Sequence, residues 1–267
     1  MTAANLGQHT KRIRDGGGKA LVAFLTAGYP DTETFPGLVR AADAAGCDVI
    51  EIGVPFSDPI ADGPVIQASS AAALAGGMTP VGALELAASV KDHVNAALVV
   101  MSYINPILAM GLDRFGVRAS AAGVSGVILP DVSLEESGTP RTTLSAAGID
   151  YVHLLAPTSD DARIATAAET ASGFLYLVSV TGVTGAREKL DLDVDAFVAR
   201  VRAHSSVPAY VGFGVSTPEM AAGVARVADG VIIGSRLIRL IEEGPAGSAP
   251  ARVGAFLESV RAAMDAV

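Results

Sequence analysis

Eight short aliphatic runs bounded by glycine, proline or polar residues limit what this chain can fold into: 20–25, 49–52, 97–102, 126–129, 151–155, 174–179, 209–212 and 230–233. Each is nearly continuous in Val, Ile, Leu and Ala. A strand with one face in water alternates apolar and polar residues, whereas a strand covered on both faces need not. The runs therefore predict a parallel sheet buried on both sides. Between them lie stretches with the Ala, Leu, Arg and Glu content of helices, such as 34–45, 80–94, 112–122 and 216–225. Eight strand-helix units with right-handed crossovers close into a (β/α)8 barrel, and 267 residues suits one such domain of about 250. The expectation is an α/β TIM barrel, a single domain over 1–267. An extra helix at 4–15 covers its amino-terminal face, and a carboxyl-terminal helix at 251–266 follows a Gly/Pro/Ser-rich loop. A doubly wound open sheet is the alternative.

Half of the residues are apolar but only 5% are aromatic, and tryptophan is absent, so the core is aliphatic and alanine-rich. The formal charge of -9 and the pI near 4.9 oppose attraction to nucleic acid or to an anionic membrane surface, both of which need a positive face. Mean hydropathy is +0.44, yet no apolar run approaches the ~20 residues of a membrane span, and residues 1–18 are polar. Cys47 stands alone, so neither an internal disulfide nor a cysteine-built zinc site is available. The four histidines, His9, His93, His153 and His204, are scattered without the spacing of a metal site. His153 lies in the fifth run and could point inward, but a packed or hydrogen-bonded histidine is the better reading. The chain reads as a cytoplasmic protein for a small ligand, with no metal.

Two carboxylates stand out. Glu51 interrupts the second run, where an ionised carboxylate costs several kcal/mol unless it is paired or hydrogen-bonded. It is either a structural carboxylate bonded to a neighbouring strand or an inward-facing acid/base whose proton affinity burial raises toward neutrality. Asp62 lies in the long connection after that run, among Pro55, Pro59 and Pro64. It is either an ordinary turn aspartate or a side chain held in place by a stiff loop. Loops that follow strands open at the carboxyl face, where barrels of this class keep their chemistry.

Gly-rich turns follow the later strands: Gly182 to Gly185, Gly212 to Gly214, and Gly234 with Ser235. Glycine lets backbone N–H groups approach an anion, and the residues after Gly234 read as a short helix whose amino terminus favours one. The three turns together point to a phosphate held largely by backbone. No G-x-S-x-G elbow supports Ser-His-Asp catalysis.

At 51–64, E-I-G-V-P-F-S-D-P-I-A-D-G-P, the chain resembles the tryptophan synthase alpha family. The similarity continues at 24–30 (F-L-T-A-G-Y-P), 101–106 (M-S-Y-I-N-P), 129–131, 178–187 (V-S-V-T-G-V-T-G-A-R), 212–215 and 234–235, spanning nearly the whole chain. The resemblance implies retro-aldol cleavage of indole-3-glycerol phosphate, with Glu51 as general acid/base and Asp62 holding the indole N–H. It places Gly185, Gly214, Gly234 and Ser235 on the phosphate. Phe24, Val100, Ile128 and Tyr176 become walls of the indole pocket, and Thr184 of the sixth loop lies near Asp62. No cofactor is implied for this chain. Pyridoxal phosphate belongs to a partner beta subunit, which receives the indole in an alpha2-beta2 heterotetramer. Residues 132–136, V-S-L-E-E, replace a proline-rich stretch usual in the family, which leaves the stiffness of that loop and its coupling to a partner open.

Two other readings remain. One is a non-catalytic alpha-like activator of a beta subunit, against which Glu51 and Asp62 count. The other is a different phosphate-binding barrel, such as indole-3-glycerol phosphate synthase or a sugar-phosphate isomerase. The synthase needs a lysine inside a barrel strand, and none of the eight runs has one.

Overall fold

The computed structural model describes residues 5–178, 194–212 and 214–267. Eight strands form one closed parallel barrel in sequence order: β1 (Ala20–Thr26), β2 (Val49–Gly53), β3 (Ala97–Met101), β4 (Val124–Ile128), β5 (Asp150–Leu155), β6 (Leu175–Val178), β7 (Ala209–Gly212) and β8 (Gly230–Ile233). Pairing of β1 with β8 closes the ring, so the open-sheet alternative falls. Every residue of β1 and β2 is buried, because the interior covers one face and helices the other. β4 begins two residues before the apolar run it was read from. Ser125 tolerates this because its hydroxyl donates to Leu98 O at 3.1 Å and needs no water.

The helices fill the connections. The chain opens with α1 (Leu6–Asp15), and α2 (Phe35–Ala44) joins β1 to β2. The longest gap in the strand pattern holds two helices, α3 (Pro64–Ala75) and α4 (Pro80–Val90), and α5 (Ile104–Met110) and α6 (Leu112–Ala121) share the next. Then come α7 (Gly138–Ala146), α8 (Asp161–Thr170), α9 (Val194–Arg202), α10 (Pro218–Val227), α11 (Ser235–Glu242) and α12 (Ala249–Asp265). Side-chain caps mark several starts: Thr79, Asp160 and Thr217 accept from the backbone N–H three residues on. Thr217 with Pro218 places the start of α10 at Pro218, where composition alone reads a helix from 216.

Strand register separates the two faces. Phe24, Glu51 and Val99 are neighbours in one row, which points inward, and Leu25, Ile52 and Val100 form the adjacent row, which faces the helices. The inward residues of β6 and β7 fill the lower barrel, where the Phe174 and Tyr210 rings stack at 4.4 Å. The amino-terminal end is plugged by α1, the helix expected at 4–15, whose residue 4 lies outside the described residues. Leu6 is fully buried against Gly126 and Gly173 so closely that a Cβ at either position would come within 2.4 or 2.7 Å of its side chain. Asp48, Asp150 and Asp229 accept backbone N–H groups of Leu21, Gly7 and Ala209 at this end, at 2.8–2.9 Å. His153 faces outward, in register with Leu175, and bonds Thr170 of α8 at 3.1 Å.

Candidate active site

The carboxyl end of the barrel gathers the chemistry. Glu51, in the middle of β2, is 1% exposed, and neither carboxylate oxygen has a hydrogen-bond partner among the described residues. Burial pushes its carboxyl up to about 8, reinforced by the nearby charge of Asp62. The structural reading of Glu51, a carboxylate bonded to an adjacent strand, therefore fails. A carboxylic acid buried in this way, with no partner among the described residues, is held neutral near pH 7 and ready to donate a proton.

Asp62 reaches the same space from the loop 54–63. It is 7% exposed, and burial raises its carboxyl to about 6, opposed by a hydrogen bond from the Tyr103 hydroxyl at 3.1 Å. The loop is tied down rather than loose: Asp62 N–H donates to Pro59 O at 3.1 Å, Ala61 N–H to the Tyr103 hydroxyl at 2.9 Å, and Gln67 Nε2 to Asp62 O at 2.9 Å. The Phe56 ring stacks on Tyr103 at 5.2 Å. Two carboxyl groups thus share one buried space with different proton affinities.

Aromatic walls complete it. Tyr176 of β6 is buried, and its phenol is raised well above 10 by burial and by the charges of Glu51 and Asp62. The Phe24 ring lies across Gly53, where a Cβ would approach it to 2.6 Å, and a Cβ on Gly234 would lie 3.6 Å from the same ring. The Tyr176 hydroxyl would meet a Cβ on Gly212 at 2.5 Å. Glycine at 53 and 212 is therefore clearance for rings, and Gly212 serves the pocket wall rather than an anion. Ile128 sits in the inward row beside Met101 and Gly53.

Val100 does not belong to this wall. It pairs with Ile52 and Val127, one residue out of phase with Glu51, so its side chain faces the helix layer. Met101 takes the inward position. A one-residue error in a strand reverses the face, and no run of aliphatic residues reveals its own phase. Tyr103 was missed as a functional residue, although it stands in the M-S-Y-I-N-P segment; only the folded loop shows that its hydroxyl reaches Asp62.

Gly234 and Ser235 stand where α11 begins; Leu237 N–H already donates to Gly234 O at 2.8 Å, so the N–H groups of Ser235 and Arg236 are the ones helix geometry leaves for an anion. Gly214 follows β7 with φ +87, a backbone shape that favours glycine. Since β7 and β8 are adjacent, their loops adjoin, as a shared phosphate site requires. Thr184 and Gly185, with the Gly182 to Gly185 turn, lie outside the described residues. The 132–136 segment, although without proline, is held by its own bonds: Glu136 N–H to Ser133 O at 3.1 Å and the Ser137 hydroxyl to Leu134 O at 2.7 Å.

Comparison with known proteins agrees with this geometry. A sequence model described as tryptophan synthase alpha chain matches residues 10–265. A protein of that name from Geobacter sulfurreducens is 46% identical over 246 residues, covering 92% of this chain and 93% of its own. One from Dehalococcoides mccartyi is 44% identical over 247 residues, covering 92% and 96%. Among solved structures, tryptophan synthase subunit alpha from Legionella pneumophila superposes with a TM-score of 0.89 at 33% identity, covering 98% of this chain and 99% of that one. Tryptophan synthase from Mycobacterium tuberculosis gives 0.89 at 36% identity, covering 98% of each.

Proposed function

The chain belongs to the tryptophan synthase alpha chain family, and from that premise we propose which of its residues carry the reaction. It is a carbon-carbon lyase of tryptophan biosynthesis that cleaves indole-3-glycerol phosphate to indole and glyceraldehyde 3-phosphate. The observation that carries the residue assignment is the pair of buried carboxyl groups, Glu51 and Asp62, with proton affinities near 8 and 6.

Near pH 7 that pair holds one proton, on Glu51, and one charge, on Asp62. Glu51 donates its proton to C3 of the indole ring, which places positive charge on the ring nitrogen. Asp62 accepts the N–H bond and stabilises that charge. The Glu51 carboxylate then removes the proton from the glycerol hydroxyl on the carbon bonded to C3. The oxygen electrons form the aldehyde carbonyl, the carbon-carbon bond breaks, and its electron pair restores the indole. The proton is back on Glu51, so the cycle needs no metal and no organic cofactor on this chain. Phe24, Ile128 and Tyr176 enclose the ring. Backbone groups at Gly214, Gly234 and Ser235 hold the phosphate end, and by family resemblance Gly185 joins them while Thr184 serves near Asp62.

A beta chain of tryptophan synthase is the partner. The alpha2-beta2 arrangement, transfer of indole to a pyridoxal phosphate held by the beta subunit, and a cytoplasmic location complete the proposal. They are supported by family membership and by the fact that no single described helix is long and apolar enough to cross a membrane.

The test is indole release from indole-3-glycerol phosphate by the purified chain across pH 5–9. The expected profile of kcat/KM is a bell, falling below about 6 as Asp62 is protonated and above about 8 as Glu51 ionises. Glu51→Gln is expected to lose at least about 10²-fold in kcat with substrate still bound. A fully active Glu51→Gln variant would sink the mechanism.

A further inference from the structure

Tyr103 touches the catalytic loop at three points. Its hydroxyl accepts the Ala61 N–H at 2.9 Å and lies 3.1 Å from Asp62 Oδ2, and its ring stacks on Phe56 at 5.2 Å. A phenol has a single proton. With the Ala61 amide directed at its oxygen, that proton points to the Asp62 carboxylate, an arrangement that favours the ionised form.

The tyrosine is itself held from behind. The next residue, Ile104, begins α5, and its N–H is received by both oxygens of Asp131 at 3.0 and 3.1 Å. The Ser102 hydroxyl donates to the Tyr103 carbonyl at 2.9 Å. Asp131 comes from the loop after β4, so two neighbouring βα loops fix the side chain that fixes a third.

We propose that Tyr103 is a positioning residue that aims the Asp62 carboxylate and keeps it ionised, and that Asp131 acts through Tyr103 by anchoring its backbone. This rests on the assignment of Asp62 to the indole nitrogen. Among the described residues the other titratable groups facing Asp62 are Glu51 from β2 and Tyr176 from β6, and neither brings positive charge. Among the described residues no lysine, arginine or histidine forms an ion pair with Asp62. Burial alone pushes this carboxyl up, and the Tyr103 hydroxyl is the group that opposes it.

The experiment is a ¹³C NMR titration of the Asp62 carboxyl, assigned with Asp62→Asn, in wild-type protein and in Tyr103→Phe. The phenylalanine keeps the ring and its stacking on Phe56 and removes only the oxygen. The Asp62 midpoint is expected to rise from about 6 by about one pH unit, a tenfold loss of the ionised form on the acid side. Asp131→Asn, measured alongside, is expected to move it in the same direction by less, and the double variant to be no worse than Tyr103→Phe, since both act through one group. An unmoved midpoint in a folded Tyr103→Phe protein would overturn the proposal, as would unmoved Asp131→Asn protein if Tyr103→Phe fails to fold. The titration needs no turnover. Absence of indole release from wild-type protein, or full activity of Asp62→Asn, would instead count against the function or the role of Asp62.

Discussion

In the unfolded chain the Glu51 carboxyl ionises near 4.5, and in the folded barrel, buried beside Asp62, near 8. Between those values the unfolded chain binds fewer protons than the folded one, so raising the pH favours unfolding. The cost is absent below about 4.5, grows through the interval and is complete above 8. Glu51→Gln has the same shape and no charge to lose. Thermal melts should show this variant more stable than wild type by about 4–5 kcal/mol at pH 8.5, with the difference nearly vanishing by pH 4.5. A difference independent of pH would contradict the burial of an unpartnered carboxylate. The residue that destabilises the barrel at high pH is thus the one to which the proposed mechanism gives the proton transfer.

Strands and helices divide the labour along the barrel axis. At the carboxyl end, β2 and the loops after β2 and β3 carry Glu51, Asp62 and Tyr103; at the amino end, α1 seals the interior with Leu6. The two ends are separated by the packed rings of Phe174, Tyr176 and Tyr210. Leu6→Ala should therefore cost stability and leave chemistry alone. The expected loss is about 2–5 kcal/mol by denaturant unfolding, because Gly126 and Gly173 have no side chain with which to fill the space. The kcat per folded molecule should stay within about twofold of wild type, and a large fall in kcat would show that the two ends are coupled. At the element scale most of the architecture was legible in the sequence. Eight strands, the amino-terminal helix and the long second connection all follow from apolar runs and their spacing. What spacing could not show was that the long connection holds two helices, since the loop 54–63 and α3 occupy one unbroken stretch without a strand signal.

For the whole molecule, the open question for rate is closure. Water exclusion over the substrate strengthens every charge interaction in the site, and a lone barrel must close its loops unaided. Titrating the purified chain with a tryptophan synthase beta chain should raise kcat for indole release by at least about tenfold, while Glu51→Gln remains inactive at every ratio. An unchanged rate at saturation would remove coupling from the account. Sequence by itself determined the eightfold strand-helix order, the buried acid on the second strand, the stiff loop bearing Asp62 and, through long motifs, the family. Those are properties of local composition and spacing. Only the tertiary structure decided that Val100 faces the helices while Met101 faces inward, that Gly53 and Gly212 make room for Phe24 and Tyr176, and that Tyr103 supports Asp62. Each of those depends on the register of strands far apart in the chain. A strand's sequence gives its period of two but not its phase; that is set when the neighbouring strands close the ring.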